Sequence, residues 1–204
     1  MSSPRPDPEQ LLELARAGDS SALGQLFVLY HSYLELLARL QIGRRLQGKV
    51  DAADLVQETF LQAQLHFSQF QGTNEAELVS WLRQILASRM AKLIRYYCGT
   101  QRRDVRLERQ LAVELDQSSR LLDQSFVAPD STPSERAARR EQAVLLADSL
   151  QQLPDDYREV LILHHLQGLS LPEVARRLSR SLDSVKNLWL RGLARLRNSA
   201  GDPS

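Results

Sequence analysis

The stretch "LSLPEVARRLSRSLDSVKNLW", Leu169 to Trp189, decides the fold: it holds two helical patterns with only "SRSL" between them. The first opens with Ser170-Leu171-Pro172-Glu173, a capping-box pattern in which serine and glutamate each satisfy an otherwise orphaned N–H. Its proline falls in the first turn, where a missing N–H costs nothing. Val174, Ala175 and Leu178 then share one apolar face. The second pattern starts near Ser181, and Asp183 puts a negative charge where the helix dipole favours one. Val185, Trp189, Gly192 and Leu196 fall on its inward side. Upstream, Tyr157, Val160, Leu161 and Leu163 or His164 supply a third amphipathic helix that ends at Gly168. Three helices with a tight turn before the last predict a helix-turn-helix, whose final helix enters the major groove of DNA.

Charge agrees with that reading. Residues 171–198 hold seven basic and two acidic side chains, a net +5, although the whole chain carries only +1. A basic helical face is often merely solvated. Combined with the tight turn, it points to a polyanion.

Outward from this unit, leucine-rich segments at helical spacing fill most of the 204 residues, and none alternates like a strand. The prediction is an all-α chain. A first helix runs from Pro8 to Ala17, with Asp7 as cap and Gly18 as stop. A second begins near Ser20 and carries Leu23, Leu26, Phe27, Tyr30, Leu34, Leu37 and Leu40, until "GRRLQG" at 43–48 breaks it. Asp51 caps a third through Ser68, and a fourth spans Glu75 to Tyr97 with Leu78, Leu82, Leu86, Met90 and Leu93 inward. Residues 8–111 thus form a four-helix N-terminal unit. From Ala112 to Glu135 five acids face one base, and "SFVAPDSTPSE" is rich in turn formers, so 112–135 reads as a flexible acidic linker. Residues 136–198 make the C-terminal helix-turn-helix domain.

Several classes are disfavoured. A single cysteine, Cys98, excludes an internal disulfide, and the four histidines show no metal-ligand spacing, so no metal or cofactor is expected. No apolar run reaches the roughly 18 residues that cross a bilayer. The N-terminus "MSSPRPDPEQ" lacks a signal-peptide core. A cytoplasmic protein that is not inserted in a membrane is expected. No nucleophile–base or paired-acid constellation supports an enzyme.

Two features of the N-terminal unit carry charge in a pattern. In "DAADLVQETFLQA", 51–63, Asp51, Asp54 and Glu58 line one helical face. From Arg83 to Arg109 eight bases stand against two acids, with Phe67, Phe70, Trp81, Tyr96 and Tyr97 nearby. A basic groove beside aromatic platforms suits single-stranded DNA, whose backbone needs neutralising and whose unstacked bases need a surface. Trp81 fits core packing equally well.

Leu153 to Arg197, with its Leu-Pro-x-x-Tyr-Arg-Glu-Val run, Gly-Leu-Ser turn, Glu-x-Ala-x-x-Leu helix and Ser-Val-Lys start, resembles the C-terminal promoter-binding domain of bacterial sigma factors. The extracytoplasmic-function (ECF) type is the closest in pattern. "DLVQETFL" and "FQGT…WLRQILASRMAKLIRYY" resemble that family's N-terminal segments, and the likeness covers roughly residues 10–110 and 136–198. The resemblance implies a subunit that brings core RNA polymerase to promoters.

Its C-terminal unit would read the minus-35 element through Ser181, Ser184, Lys186, Asn187 and Arg191, with Arg176 and Arg177 nearer the phosphates. Asp51, Asp54, Leu55, Gln57 and Glu58 would grip the clamp helices of the large polymerase subunit. Asn74, within the loop 71–75, with Ser88, Lys92 and Arg95, would read and open the minus-10 element, capturing an everted base. An anti-sigma inhibitor is a further expected partner.

The sequence departs from the family at Ser88, where asparagine is common, at Leu188, Leu190 and Leu193, where basic or polar residues are common, and at Ser179, where glycine often makes the turn. The competing expectation is a helix-turn-helix regulator with an N-terminal sensory or interaction domain. It predicts a dimer and a ligand pocket or phospho-acceptor. The acidic helix and the basic, aromatic-bearing one favour the polymerase subunit.

Overall fold

The computed structural model describes residues 6–45, 50–97, 105–124 and 133–200, and every regular element among them is helical. Helix α1 is Pro8–Arg16, capped by Asp7, whose carboxylate accepts the Glu9 N–H at 3.0 Å. Gly18 then turns the chain with φ +101°, a conformation other residues adopt only with strain. Helix α2, Ser20–Arg45, starts under Asp19, which accepts the Ser21 and Ala22 N–H groups. The remaining helices are α3 Ala52–His66, α4 Glu75–Tyr97, α5 Val105–Gln124, α6 Pro133–Gln151, α7 Asp155–Leu161, α8 Leu171–Arg177 and α9 Leu182–Ala200. A single 3-10 turn, Phe67–Gln69, follows α3, and one wide π turn, Ile162–Leu166, follows α7.

The sequence shows one stripe on α2, but from Tyr30 to Ile42 every residue of the helix is buried or half-buried. Leu26, Tyr30, Tyr33, Leu34, Leu37 and Ala38 are all at or below 1% exposure. The reason is position: α1, α3, α4, α5 and α6 all pack on it. Helix α3 is capped by Asp51, which accepts the Ala53 N–H at 2.9 Å.

The expected flexible linker is corrected by α5. Residues 112–124 continue a helix that starts at Val105 and packs along α4 and α2. Leu111, Leu115 and Leu122 are almost wholly buried, and burying one such side chain is worth about 1.5–3 kcal/mol. Tyr33 donates its hydroxyl to Ser119 Oγ at 2.8 Å, and Gln41 Nε2 donates to Ser118 Oγ at 3.1 Å. Acidity misled the reading because the acids of α5 meet arginines of α4 rather than solvent alone. Of the rest of that segment, residues 125–132 lie outside the described residues and 133–135 open α6.

Helix α6 belongs to both units. Ala143, Val144, Ala147 and Leu150 join the core built on α2, while α6 also packs against α9. The helix-turn-helix has its own small core of Val160, Leu163, Val174, Ala175 and Val185. Its turn closes with the Arg180 N–H donating to the Ala175 carbonyl at 3.0 Å, and with Ser179 at φ +53°. That left-handed residue is why glycine is common there. Gly192 lets α9 approach α7: a Cβ in its place would lie 3.3 Å from Leu161 Cδ1.

Candidate nucleic-acid and polymerase interfaces

On α3 the structure separates residues that the sequence grouped. Asp54, Gln57 and Glu58 are exposed, but Leu55 is only 1% exposed and packs inward. Its side chain cannot serve a partner while the core is intact, so Leu55 leaves the polymerase-binding set. Asp51 is exposed but engaged as the helix cap. Two leucines further along α3 are exposed instead. Leu61 and Leu65, 59% and 70% exposed, continue the stripe of Asp54 and Glu58 at helical spacing. Phe60 instead stacks on Phe27 of α2, with ring centroids 4.6 Å apart. Two acids followed by two exposed leucines give α3 an outer face that is acidic at one end and apolar at the other.

The loop before α4 is built by its aromatic floor. Phe70 lies against Trp81, centroids 4.9 Å apart, and Phe67 completes the cluster. Trp81 is half-buried in it and is therefore packing, not a free platform. Gly72 crosses so close to the Phe70 ring that a Cβ would sit 2.2 Å from Cζ, a steric demand only glycine meets. Asn74 accepts the Glu77 N–H on its side-chain oxygen at 3.0 Å, and Glu77 accepts the Thr73 N–H at 2.7 Å. The expected base-reading residue is thus also the cap of α4, leaving its amide NH2 group as the donor available to a base.

Along α4, Lys92 is exposed and Ser88 half-buried. Arg95 donates to Glu108 of α5 at 3.2 Å. Arg83 donates to Asp116 of α5 at 2.9 Å. Tyr96 is 79% exposed. Glu75, the first residue of α4, accepts the Tyr30 hydroxyl at 2.6 Å and an Arg140 N–H of α6 at 2.5 Å.

At the other end, Glu173 accepts both the Ser170 N–H and hydroxyl, at 2.8 and 2.6 Å. Those bonds from the Ser170 side chain and backbone, aided by Arg176, draw the Glu173 carboxyl below its ordinary range. Ser181 caps α9 by accepting the Ser184 N–H at 3.2 Å, so its hydroxyl is committed to structure first. Lys186, Asn187, Arg191 and Arg176 are exposed, and Ser184 and Arg177 half-buried. Leu188 and Leu193 are not lost contacts: both pack partly against cores, and only Leu190 points outward, at 56% exposure. Arg180 makes a two-pronged pair with Asp156, 2.9 Å to each oxygen, fixing the turn to α7.

A feature the sequence reading missed holds α9 in place. The Trp189 indole N–H donates to His165 Nε2 at 2.9 Å, and His164 Nδ1 lies 2.7 Å from the Leu169 carbonyl, to which it must donate. Burial, then the neighbouring His164, lowers the pKa of His165. The adjacent histidines are structural, and among the described residues no group of three potential ligands could hold a metal. No described helix is long and apolar enough to cross a membrane.

An exposed acidic helix at one end and a basic helix-turn-helix at the other describe a DNA-binding adaptor. Two family patterns place it: "Sigma-70 region 2" matches residues 29–97 and "Sigma-70, region 4" matches 143–196. The ECF RNA polymerase sigma factor BldN of Streptomyces coelicolor is 30% identical over 190 residues, covering 92% of this chain and 63% of BldN. SigM of Mycobacterium tuberculosis H37Rv, another ECF sigma factor, is 29% identical over 192 residues, covering 94% of this chain and 84% of SigM. Among solved structures, CnrH in complex with the cytosolic domain of CnrY aligns over 97% of this chain and 100% of CnrH, at 25% identity and a TM-score of 0.37. The chain belongs to the sigma-70 family, whose members direct core RNA polymerase to promoters, and is similar to its ECF members.

Proposed function

We propose a division of labour among three faces, with no bond chemistry in any of them. Asp54, Gln57, Glu58, Leu61 and Leu65 of α3 meet the clamp helices of the polymerase. The loop 71–75, with Lys92, Ser88 and Arg95, opens and reads the minus-10 element. Arg176, Arg177, Ser181, Ser184, Lys186, Asn187 and Arg191 take the minus-35 element, the cations on phosphates and the amide and hydroxyls within reach of base edges. The protein works in the cytoplasm, where polymerase and template are, and an anti-sigma inhibitor would compete for the same surfaces.

The observation that carries this reading is the α3 stripe. Its acids are solvent-exposed and its outer leucines stand uncovered by the described residues. Complementary charge steers the encounter and the leucines supply the apolar anchor. Asp54→Arg with Glu58→Arg should abolish co-purification with core polymerase while far-UV circular dichroism stays helical. Normal co-purification of the folded double variant would remove α3 from the interface. A Leu61→Ser, Leu65→Ser pair should weaken the same complex without altering its salt dependence.

A further inference from the structure

Leu190 is 56% exposed, although Leu188, Leu193 and Leu196 of the same helix all pack partly against cores. A lone exposed leucine is ordinary on a protein surface; this one is set apart by its position. Successive residues of an α-helix turn by about 100°, so with Lys186 at zero Asn187 lies at about 100° and Arg191 at about 140°. Leu190 falls at about 40°, inside the arc those three exposed side chains share. The opposite sector, about 200–300°, holds the buried Val185 and the Gly192 that meets Leu161. Leu190 is thus the apolar part of the outward face of α9, and its side chain can neither give nor take a hydrogen bond.

Asp183 shows which part of DNA this arc meets. It stands at about 60°, nearly in line with Leu190 and roughly 10 Å closer to the start of the helix. Its side chain is 91% exposed. A carboxylate repels phosphate, so the strip from Asp183 to Leu190 cannot lie along a sugar-phosphate backbone. Lys186 and Arg191, on either side of the strip, have the charge and length to take the phosphates, which leaves the strip over base edges.

The major groove offers hydrogen-bonding edges from all four base pairs but a single apolar group, the C5-methyl of thymine. Against guanine O6, adenine N7 or cytosine N4 a leucine strips water from a polar atom and gives nothing back. Against the methyl it buries apolar surface on both partners. We propose that Leu190 is a specificity residue that reads one thymine of the upstream element through its C5-methyl, while Asn187 offers its amide to the base edges beside it. The proposal rests on the minus-35 reading of α9 given above and adds a base that this element must contain.

Holoenzyme assembled from core polymerase and the full chain supplies the test. It first selects duplexes from a library randomised across the minus-35 window. The selected duplex is then remade with each thymine in turn replaced by deoxyuridine, which lacks only the methyl. Wild type should lose about fourfold in affinity at one thymine, the worth of burying one methyl-sized group, and little at the others. Leu190→Ala, which keeps a good helix former at an exposed position, should bind the thymine duplex severalfold more weakly and no longer tell it from the uracil one. Its salt slope should stay that of wild type, because no phosphate contact is lost. Leu190→Arg should shift selection towards guanine, whose O6 and N7 a guanidinium takes with two bonds. Equal binding of every deoxyuridine duplex by wild type would overturn the proposal while leaving the minus-35 reading in place. A thymine preference that survives Leu190→Ala would also overturn it, tracing the methyl effect to DNA shape. Weaker binding of Leu190→Ala to core polymerase without DNA would do the same by assigning the leucine to a protein contact. Should wild-type holoenzyme select no minus-35 sequence at all, the reading beneath the proposal fails and the proposal falls with it.

Discussion

Helices α4 and α9 are both basic, and by charge alone they look like equivalent DNA-binding elements. Their surroundings differ. On α9, Lys186, Asn187 and Arg191 stand exposed, with Asp183 3.9 Å from Lys186. On α4, Arg83 and Arg95 are mostly buried against α5 and paired with Asp116 and Glu108. A count of cations measures what the chain could offer a polyanion. The folded contacts decide how much of it is on offer. By that measure α9 is a standing DNA-binding face, whereas α4 holds part of its charge in internal pairs.

Removing the standing face should therefore have the larger effect. Lys186→Ala with Arg191→Ala should lower affinity for minus-35 duplex roughly tenfold and shrink the slope of log affinity against log salt by about 2. An unchanged slope would mean that α9 presents another side to DNA. Freeing the internal pairs should give a smaller and opposite change. Glu108→Gln with Asp116→Asn leaves the size of α5 intact while releasing Arg83 and Arg95. Gln and Asn fill the same space and keep an acceptor oxygen beside each guanidinium, so the fold should persist. Affinity for single-stranded minus-10 DNA should rise severalfold, with a steeper salt slope. No gain would show that these arginines never reach the strand, and the two helices would differ in kind rather than in degree.

Much of this was legible from the residues. Caps and breakers at Asp7, Gly18, Asp51 and Glu75 placed α1 to α4 to within a few residues, because such signals act locally. The capping box at Ser170 was readable for the same reason, whereas the turn at Ser179 showed only through the resemblance, which puts glycine there. What escaped was long-range. Leu111, Leu115 and Leu122 spell a helix only once acidity is no longer taken as a mark of solvation, and their partners lie on α2 and α4, far back in the chain. Leu55 entered the polymerase-binding set through the family resemblance, and spacing alone does not say which way the helix is turned. Glu35 gave no signal at all. An acid in a leucine stripe reads as surface until Arg39 and Gln151 are found around it.

The smallest expected effect concerns what keeps the standing face standing. Trp189 donates to His165 Nε2, so that nitrogen must be unprotonated for the contact to exist. Burial and the His164 ring, 4.8 Å away, lower the pKa of His165 in the folded chain below its ordinary 6.5. When the chain unfolds, His165 regains the ordinary value and binds a proton more readily. The C-terminal unit should thus keep its full stability above about pH 6.5 and lose some as pH falls from there towards the lowered folded pKa. His165→Gln cannot titrate and can still offer an acceptor to the indole. Between pH 7.5 and 5.5 the wild-type melting temperature should fall by more than that of the variant, and minus-35 binding should weaken in parallel. Equal falls would mean that the indole contact does not report on His165 protonation, and that packing of Val185, Trp189 and Leu196 alone seats α9.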